Sequence, residues 1–238
     1  MKNFSNYPAL KIFWDIDGTL LNTHGAAAIP FAHAISKFAQ QKVQIDRKKL
    51  SGFTDYEIAR YLLNSLGTNA SFEEITQILH DYSSALPGYL QASDAVVIKG
   101  AQESLIELSK LTGVELAIGT GNFLSGVKAK LKYANLLSFF DQKNIFCATE
   151  IYWNRDSIIS NAKKSLGIGQ VGIVIGDSIR DILSARNSEM MVIAVATGAH
   201  SSSELLKQKP DYVLENNWTY QELFEAVEQI LKIKLIIN

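Results

Sequence analysis

The chain has 238 residues, 47% of them hydrophobic and 20% charged, which marks an ordinary soluble globular protein with room for one large domain or a core plus a smaller insert. Lys and Arg total 23 against 24 Asp and Glu, a net charge of −1, so no broad basic surface is available for nucleic acid and no polybasic segment for anionic membranes. The start, Met1-Lys2-Asn3-Phe4-Ser5, lacks the apolar core of a leader peptide and no apolar stretch reaches spanning length, so a cytoplasmic protein without membrane or nucleic-acid partners is expected.

In chain order, an apolar run from Leu10 to Trp14 reads as a buried strand and stops abruptly at Asp15-Ile16-Asp17-Gly18-Thr19. The carboxyl end of a strand is where open α/β sheets hold their chemistry. Alternation sends Asp15 and Asp17 to the same side, where one carboxylate can attack while the other transfers protons, and their paired charge invites a divalent cation. Residues 25–41, 55–66 and 71–86 then carry apolar side chains at three- and four-residue spacing, predicting three helices in succession. Thr54-x-x-Glu57 and Ser71-x-x-Glu74 are capping-box starts for two of them, and Pro87-Gly88 is the expected end of the block.

From about residue 98 the pattern alternates. Strands are expected at 114–118, 145–148, 172–175, 191–196 and 212–214, and helices at 101–111, 123–135, 156–166, 179–187, 203–208 and 219–232. Such alternation predicts a parallel sheet. Cys147, the single cysteine, excludes an internal disulfide and a cysteine zinc cluster, and its apolar neighbours place it in a buried strand. His24, His33, His80 and His200 are too scattered to form a metal-ligand set.

Two of the later strands end in chemistry. Gly119-Thr120-Gly121-Asn122 offers a hydroxyl and unhindered backbone amides at the start of a helix, a place that attracts anions, although Asn122 as a plain helix cap explains the same residues. Gly176-Asp177-Ser178-Ile179-Arg180-Asp181 sets two acids four apart on one helix face, where they can hold a metal. The same segment also reads as Ser178 capping a helix with Asp181 in its first turn. If Asp15, Asp17, Asp177 and Asp181 converge, their charge requires cations, and magnesium with its oxygen ligands and retained waters suits them.

The pattern Asp15-x-Asp17-Gly18-Thr19 after a buried strand resembles the first motif of the haloacid dehalogenase (HAD) superfamily, most of whose members are magnesium-dependent phosphatases. The resemblance implies that Asp15 is the nucleophile that becomes an aspartyl phosphate and that Asp17 protonates the leaving group and then activates water. A second Asp resembles the phosphoryl-transfer members, since the superfamily's dehalogenases keep no acid there. Thr120 and Asp177 with Asp181 match the second and fourth motifs, with Asp15 and Asp177 as side-chain magnesium ligands, Asp17 giving its carbonyl and Asp181 in support. The Lys-Pro of the third motif is missing. Arg155, at the start of a helix, resembles the Arg that some members carry instead, with Lys143 as the fallback. Lys128, Lys163 and Lys164 read as solvated.

The implied architecture is a Rossmann-like α/β HAD core with a parallel sheet, residues 1–21 and 95–238, and a helical C1 cap domain, residues 22–94. Ser51-Gly52-Phe53-Thr54-Asp55 resembles the cap segment that approaches the site in phosphoglycolate-phosphatase-like members, so Phe53, Thr54 and Asp55 are expected at the leaving group of a substrate held by Gly18, Thr120, Gly121, Asn122 and Arg155. The expectation is a magnesium phosphatase for a small phosphorylated metabolite, monomeric or homodimeric. A β-phosphoglucomutase-like mutase and a non-catalytic phosphometabolite binder are the alternatives.

Overall fold

The computed structural model describes residues 8–237, with side chains as far as Lys232, so Met1 to Ser5 lie outside the described residues. A six-stranded sheet forms the centre. Its strands are β1 (Leu10–Trp14), β4 (Val114–Phe123), β5 (Ile145–Ala148), β6 (Val171–Gly176), β7 (Met191–Val195) and β8 (Tyr212–Leu214), in the order β5-β4-β1-β6-β7-β8. Every pairing is parallel. β1 is buried along its whole length because strands flank it on both edges and helices cover both faces, which is why its sequence is nearly all apolar. Leu10, Ile12 and Trp14 face one layer with the helices α4 (Ala101–Ser109) and α9 (Tyr220–Ile237), while Phe13 faces the other with α6 (Arg155–Lys163) and α7 (Ile179–Asn187).

The register places the functional strand ends side by side. Trp14 is opposite Ile118 on one neighbour and Ile175 on the other, so the chain leaves the sheet at Asp15, near Gly119 and Gly176, across one narrow front. β4 runs further than its apolar residues suggest. Its pairing with β5 shifts between Gly119 and Phe123, a bulge that keeps the strand going while presenting Thr120, Gly121 and Asn122.

Between β1 and α4 come β2 (Leu21–Asn22), the helices α1 (Ala28–Ala39), α2 (Asp55–Ser65) and α3 (Phe72–Gln91), and β3 (Val96–Val97). Both expected capping boxes are formed, Thr54 with Glu57 and Ser71 with Glu74. The expected stop at Pro87 is not: α3 continues through it to Gln91. Proline removes one amide donor and crowds the preceding turn. Here Leu86 and Leu90, both fully buried, hold the helix on its partners across that defect. The three helices share an apolar cluster built on Phe31, Ile35, Leu62, Leu79, Tyr82 and Leu86, and it continues into Phe123 and Ala148 of the sheet and Ile158 of α6, so the helical block rests directly on the functional strand ends. Among the described residues no helix is long and apolar enough to cross a membrane.

Candidate active site

Asp15 is the first residue beyond β1, and its amide donates to the carbonyl of Ile175 at 2.9 Å, which fixes the carboxylate between the neighbouring strand ends. Carboxylate oxygens of Asp15, Asp177 and Asp181 lie within 4.8 Å of one another, and all three residues are buried. Burial pushes the Asp15 carboxyl up to about 6 even though the Arg155 guanidinium opposes it, and Asp177 is raised well above the usual carboxylate range by burial and then by Asp181 and Asp15. Three acids so placed are under-compensated.

Arg155 supplies the one guanidinium among them. Nη2 donates to Asp15 at 2.8 Å and also to Asp181, and only 4% of the residue is exposed. It is therefore not a surface arginine. Its Nε is buried with no partner, a donor left over at the cluster. Lys143, the fallback, is exposed in the turn preceding β5, at the amino end of that strand and away from the site. Asp181 accepts from the amide and hydroxyl of Ser178 as the first-turn acid of α7, and its carboxylate also lies in the three-acid cluster.

Glycines allow this crowding. Gly18 has a φ of +81°, and a Cβ there would stand 2.5 Å from Asp177 Oδ2; at Gly198, in the loop after β7, the same distance would be 1.6 Å. At Gly121 a Cβ would meet Thr54 Cα at 2.9 Å, so the loop before α2 closes directly on the β4 bulge. That loop is tied down by Arg180, whose Nη1 donates to Glu57 at 2.8 Å and whose guanidinium lies 3.7 Å from the Phe53 ring centroid. The cavity beside it, partly open to solvent, has a volume of about 470 Å³ and is lined by Asp15, Asp17, Gly18, Thr120, Gly121, Asn122, Phe53, Arg155 and Asp177 among others.

Two expected substrate contacts are spent otherwise. Thr54 is fully buried, and its hydroxyl donates to the Trp153 carbonyl and accepts from the Glu57 amide, so it serves the loop and not the cavity wall. Asn122 reaches the cavity, but its side chain donates to Asp17 Oδ2 at 2.9 Å and accepts from Lys130 at 3.0 Å. It does not cap α5 (Leu124–Tyr133), whose cap is Phe123. The Asp17 side chain stands outside the metal-sized cluster and pairs with Asn122 and Lys130.

Lys130 was not foreseen. The signal was its helical phase: Gly126, Val127, Lys130, Leu131 and Ala134 form the buried stripe of α5 and its cap residue. Lys128, by contrast, is exposed as expected. Asp55, the first residue of α2, is likewise buried and pushed up to about 6 by burial. Burial also raises the Cys147 thiol to about 11, which removes it as a nucleophile.

This arrangement of strand-end acids and a bridging guanidinium coincides with a match to the family model described as haloacid dehalogenase-like hydrolase over residues 12–195. The chain belongs to that family. Among its relatives is IndB of Dickeya dadantii (strain 3937), named as a probable phosphatase, 23% identical over 234 residues that cover 93% of this chain and 95% of IndB. A HAD hydrolase of family IA, variant 3, from Entamoeba histolytica superposes with a TM-score of 0.71 at 22% identity, covering 92% of this chain and 98% of that one. A predicted phosphoglycolate phosphatase from Haemophilus somnus 129PT gives a TM-score of 0.67 at 15% identity, covering 94% and 100%.

Proposed function

We propose that this HAD family member is a magnesium-dependent phosphatase that hydrolyses a small phosphorylated metabolite through an aspartyl phosphate, in the manner of phosphoglycolate phosphatases. The observation that carries the reading is the bridging of Asp15 by Arg155 inside the three-acid cluster, in the lining of the cavity. The names of IndB and of the Haemophilus structure point the same way. A cavity near 470 Å³ falls within the range of about 300–1,000 Å³ usual for metabolite sites. The division into a core, 1–21 and 95–238, and a cap, 22–94, belongs to the same proposal.

The donor set fits magnesium: hard carboxylate oxygens from Asp15 and Asp177 with Asp181 behind them, a cluster of three acids that Arg155 only partly offsets. Magnesium bound there would supply charge opposite the phosphoryl oxygens. Arg155, which borders the cavity, offers its guanidinium to one phosphoryl oxygen, and Thr120 its hydroxyl to another. A carboxylate oxygen of Asp15 attacks phosphorus, the bond to the leaving oxygen breaks, and Asp17 gives that oxygen its proton. Asp17 then takes a proton from water, whose oxygen attacks phosphorus and frees Asp15. The loop around Phe53 packs against Gly121 and Arg180 at the edge of the cavity.

Phosphate release from an aryl phosphate and from a panel of small phosphometabolites including phosphoglycolate, with and without magnesium, tests this. Magnesium-dependent turnover lost in Asp15→Asn is expected. No turnover by a folded, magnesium-binding protein defeats the proposal, and phosphate passed to an added sugar phosphate in preference to water would point to a mutase.

A further inference from the structure

Lys130 is a buried cation with no part in the chemistry proposed above. Its side chain is 2% exposed, and burying an ammonium is costly unless its partners are exact. On α5 it lies one turn after Gly126, where the lack of a side chain lets the helical block approach: a Cβ at Gly126 would stand 3.7 Å from the Tyr82 ring and 3.9 Å from Asp55 Oδ2. Burial alone would lower the Lys130 ammonium, but Asp17, Tyr82 and Asp55 hold it charged.

The bonding is selective at the level of single atoms. Lys130 Nζ and Asn122 Nδ2 both donate to Oδ2 of Asp17, and Lys130 also donates to Asn122 Oδ1, which closes a three-member ring of bonds. Oδ1 of Asp17 accepts no hydrogen bond among the described residues, and the Asp17 side chain is 41% exposed and borders the cavity. A carboxylic acid carries its proton on one oxygen and can accept on the other. With two N–H donors fixed on Oδ2, a proton can reside only on Oδ1.

We propose that Lys130, with Asn122, is the positioning residue of the proton-transferring carboxylate, holding Oδ2 of Asp17 so that Oδ1 alone delivers its proton to the departing oxygen. The inference rests on Asp17 acting as the acid in the proposed phosphatase reaction. The proton leaves Oδ1 as the phosphorus–oxygen bond to the leaving group breaks, and the bonding pair stays with that oxygen. Lys130 borders the cavity, but its hydrogen bonds go to Asp17 and Asn122, so its assigned part is to hold Asp17 and not to meet the reacting atoms. A lysine kept only for packing would fill its site no better than methionine.

The two roles separate through the leaving group, because a basic alkoxide needs the proton and an acidic phenoxide does not. The experiment measures kcat/KM, which reports the first phosphoryl transfer, for the magnesium-loaded protein with an alkyl phosphate, phenyl phosphate and dinitrophenyl phosphate, in wild type, Lys130→Met, Lys130→Arg and Asn122→Ala. The expected result for Lys130→Met is a loss of about 100-fold on the alkyl phosphate and about 3-fold or less on the dinitrophenyl ester, the former within the range of general-acid effects. Lys130→Arg should recover part of the alkyl loss. Asn122→Ala, which removes the other donor to Oδ2 and leaves the buried charge in place, should show the same dependence on leaving group, and it decides the matter if Lys130→Met does not fold. An equal loss on every ester, or no loss, overturns the inference while leaving the phosphatase reading intact. A wild type inactive on all three esters removes both.

Discussion

The carboxylate of Asp55 accepts a hydrogen bond of 2.7 Å from the backbone amide of Phe123, joining the first turn of α2 to the end of β4. One contact thus couples the loop over the cavity to the strand that carries Thr120. Burial raises the Asp55 carboxyl to about 6, above its ordinary value near 3.8. A carboxyl raised on folding binds more protons in the native state, so its contribution is fully present below about pH 4 and is lost as pH rises through 6. Roughly 3 kcal/mol is involved at most, at about 1.4 kcal/mol per unit. Denaturant unfolding in EDTA from pH 4 to 7 should show this decline flattened in Asp55→Asn, which keeps an acceptor for Phe123. An identical slope in both proteins would remove Asp55 as the cause.

Removing the guanidinium should cost both stability and turnover. Arg155→Met leaves Asp15 and Asp181 facing each other without their bridge, and breaking a buried pair costs about 3–5 kcal/mol. Arg155→Lys restores a charge facing both acids but not the other N–H groups of the guanidinium, so it should recover stability better than activity. Urea midpoints and phosphate-release rates on the same samples check the two halves. A Lys variant with full activity would refute the requirement for a guanidinium.

Gly198 tests the cluster without touching a carboxylate. A methyl group there would overlap Asp177 Oδ2, so Gly198→Ala should displace that side chain and raise the magnesium concentration for half-maximal activity by about tenfold or more. Gly88, inside α3 with nothing within 4 Å of its would-be Cβ, is the control. Gly88→Ala should leave magnesium dependence unchanged and add about 0.5–1 kcal/mol of stability.

Arg180 fastens the loop over the cavity through Glu57 and the Phe53 ring. Half-buried pairs of this kind contribute modestly, so Arg180→Ala should cost about 1–2 kcal/mol of stability. Its kinetic effect should fall on KM, by about 3- to 10-fold, more than on kcat. Steady-state kinetics with a small phosphomonoester decide this, and a pure kcat effect would place Arg180 in the chemistry instead.

The residues that were legible are those whose chemistry demands a fixed spacing. Asp15 and Asp17 after an apolar run, and Asp177 with Asp181 at a helix start, could be read because a strand end dictates where their carboxylates go. The extension of β4 to Phe123 was hidden because Gly119 to Asn122 has the composition of a turn, and only pairing with β5 makes it a strand. Pro87 misled for the same reason, its local cost being outweighed by Leu86 and Leu90. Thr54 carried a helix-start signal that fully explains it. Lys130 escaped because a lysine on a helix reads as solvated unless its phase is weighed against Gly126 and Leu131, and its partners sit far away in sequence.

The short ribbon formed by β2 and β3 has a consequence for how such a protein diversifies. Leu21 pairs with Val97 and Asn22 with Val96, so the chain departing from the sheet and the chain coming back to it are neighbours, one strand spacing or roughly 5 Å apart. Any folded cassette whose two ends lie that close could be spliced in at this junction without disturbing the order or register of the six strands. On the function proposed above, swapping that cassette would change selectivity while the acids at the strand ends keep their places.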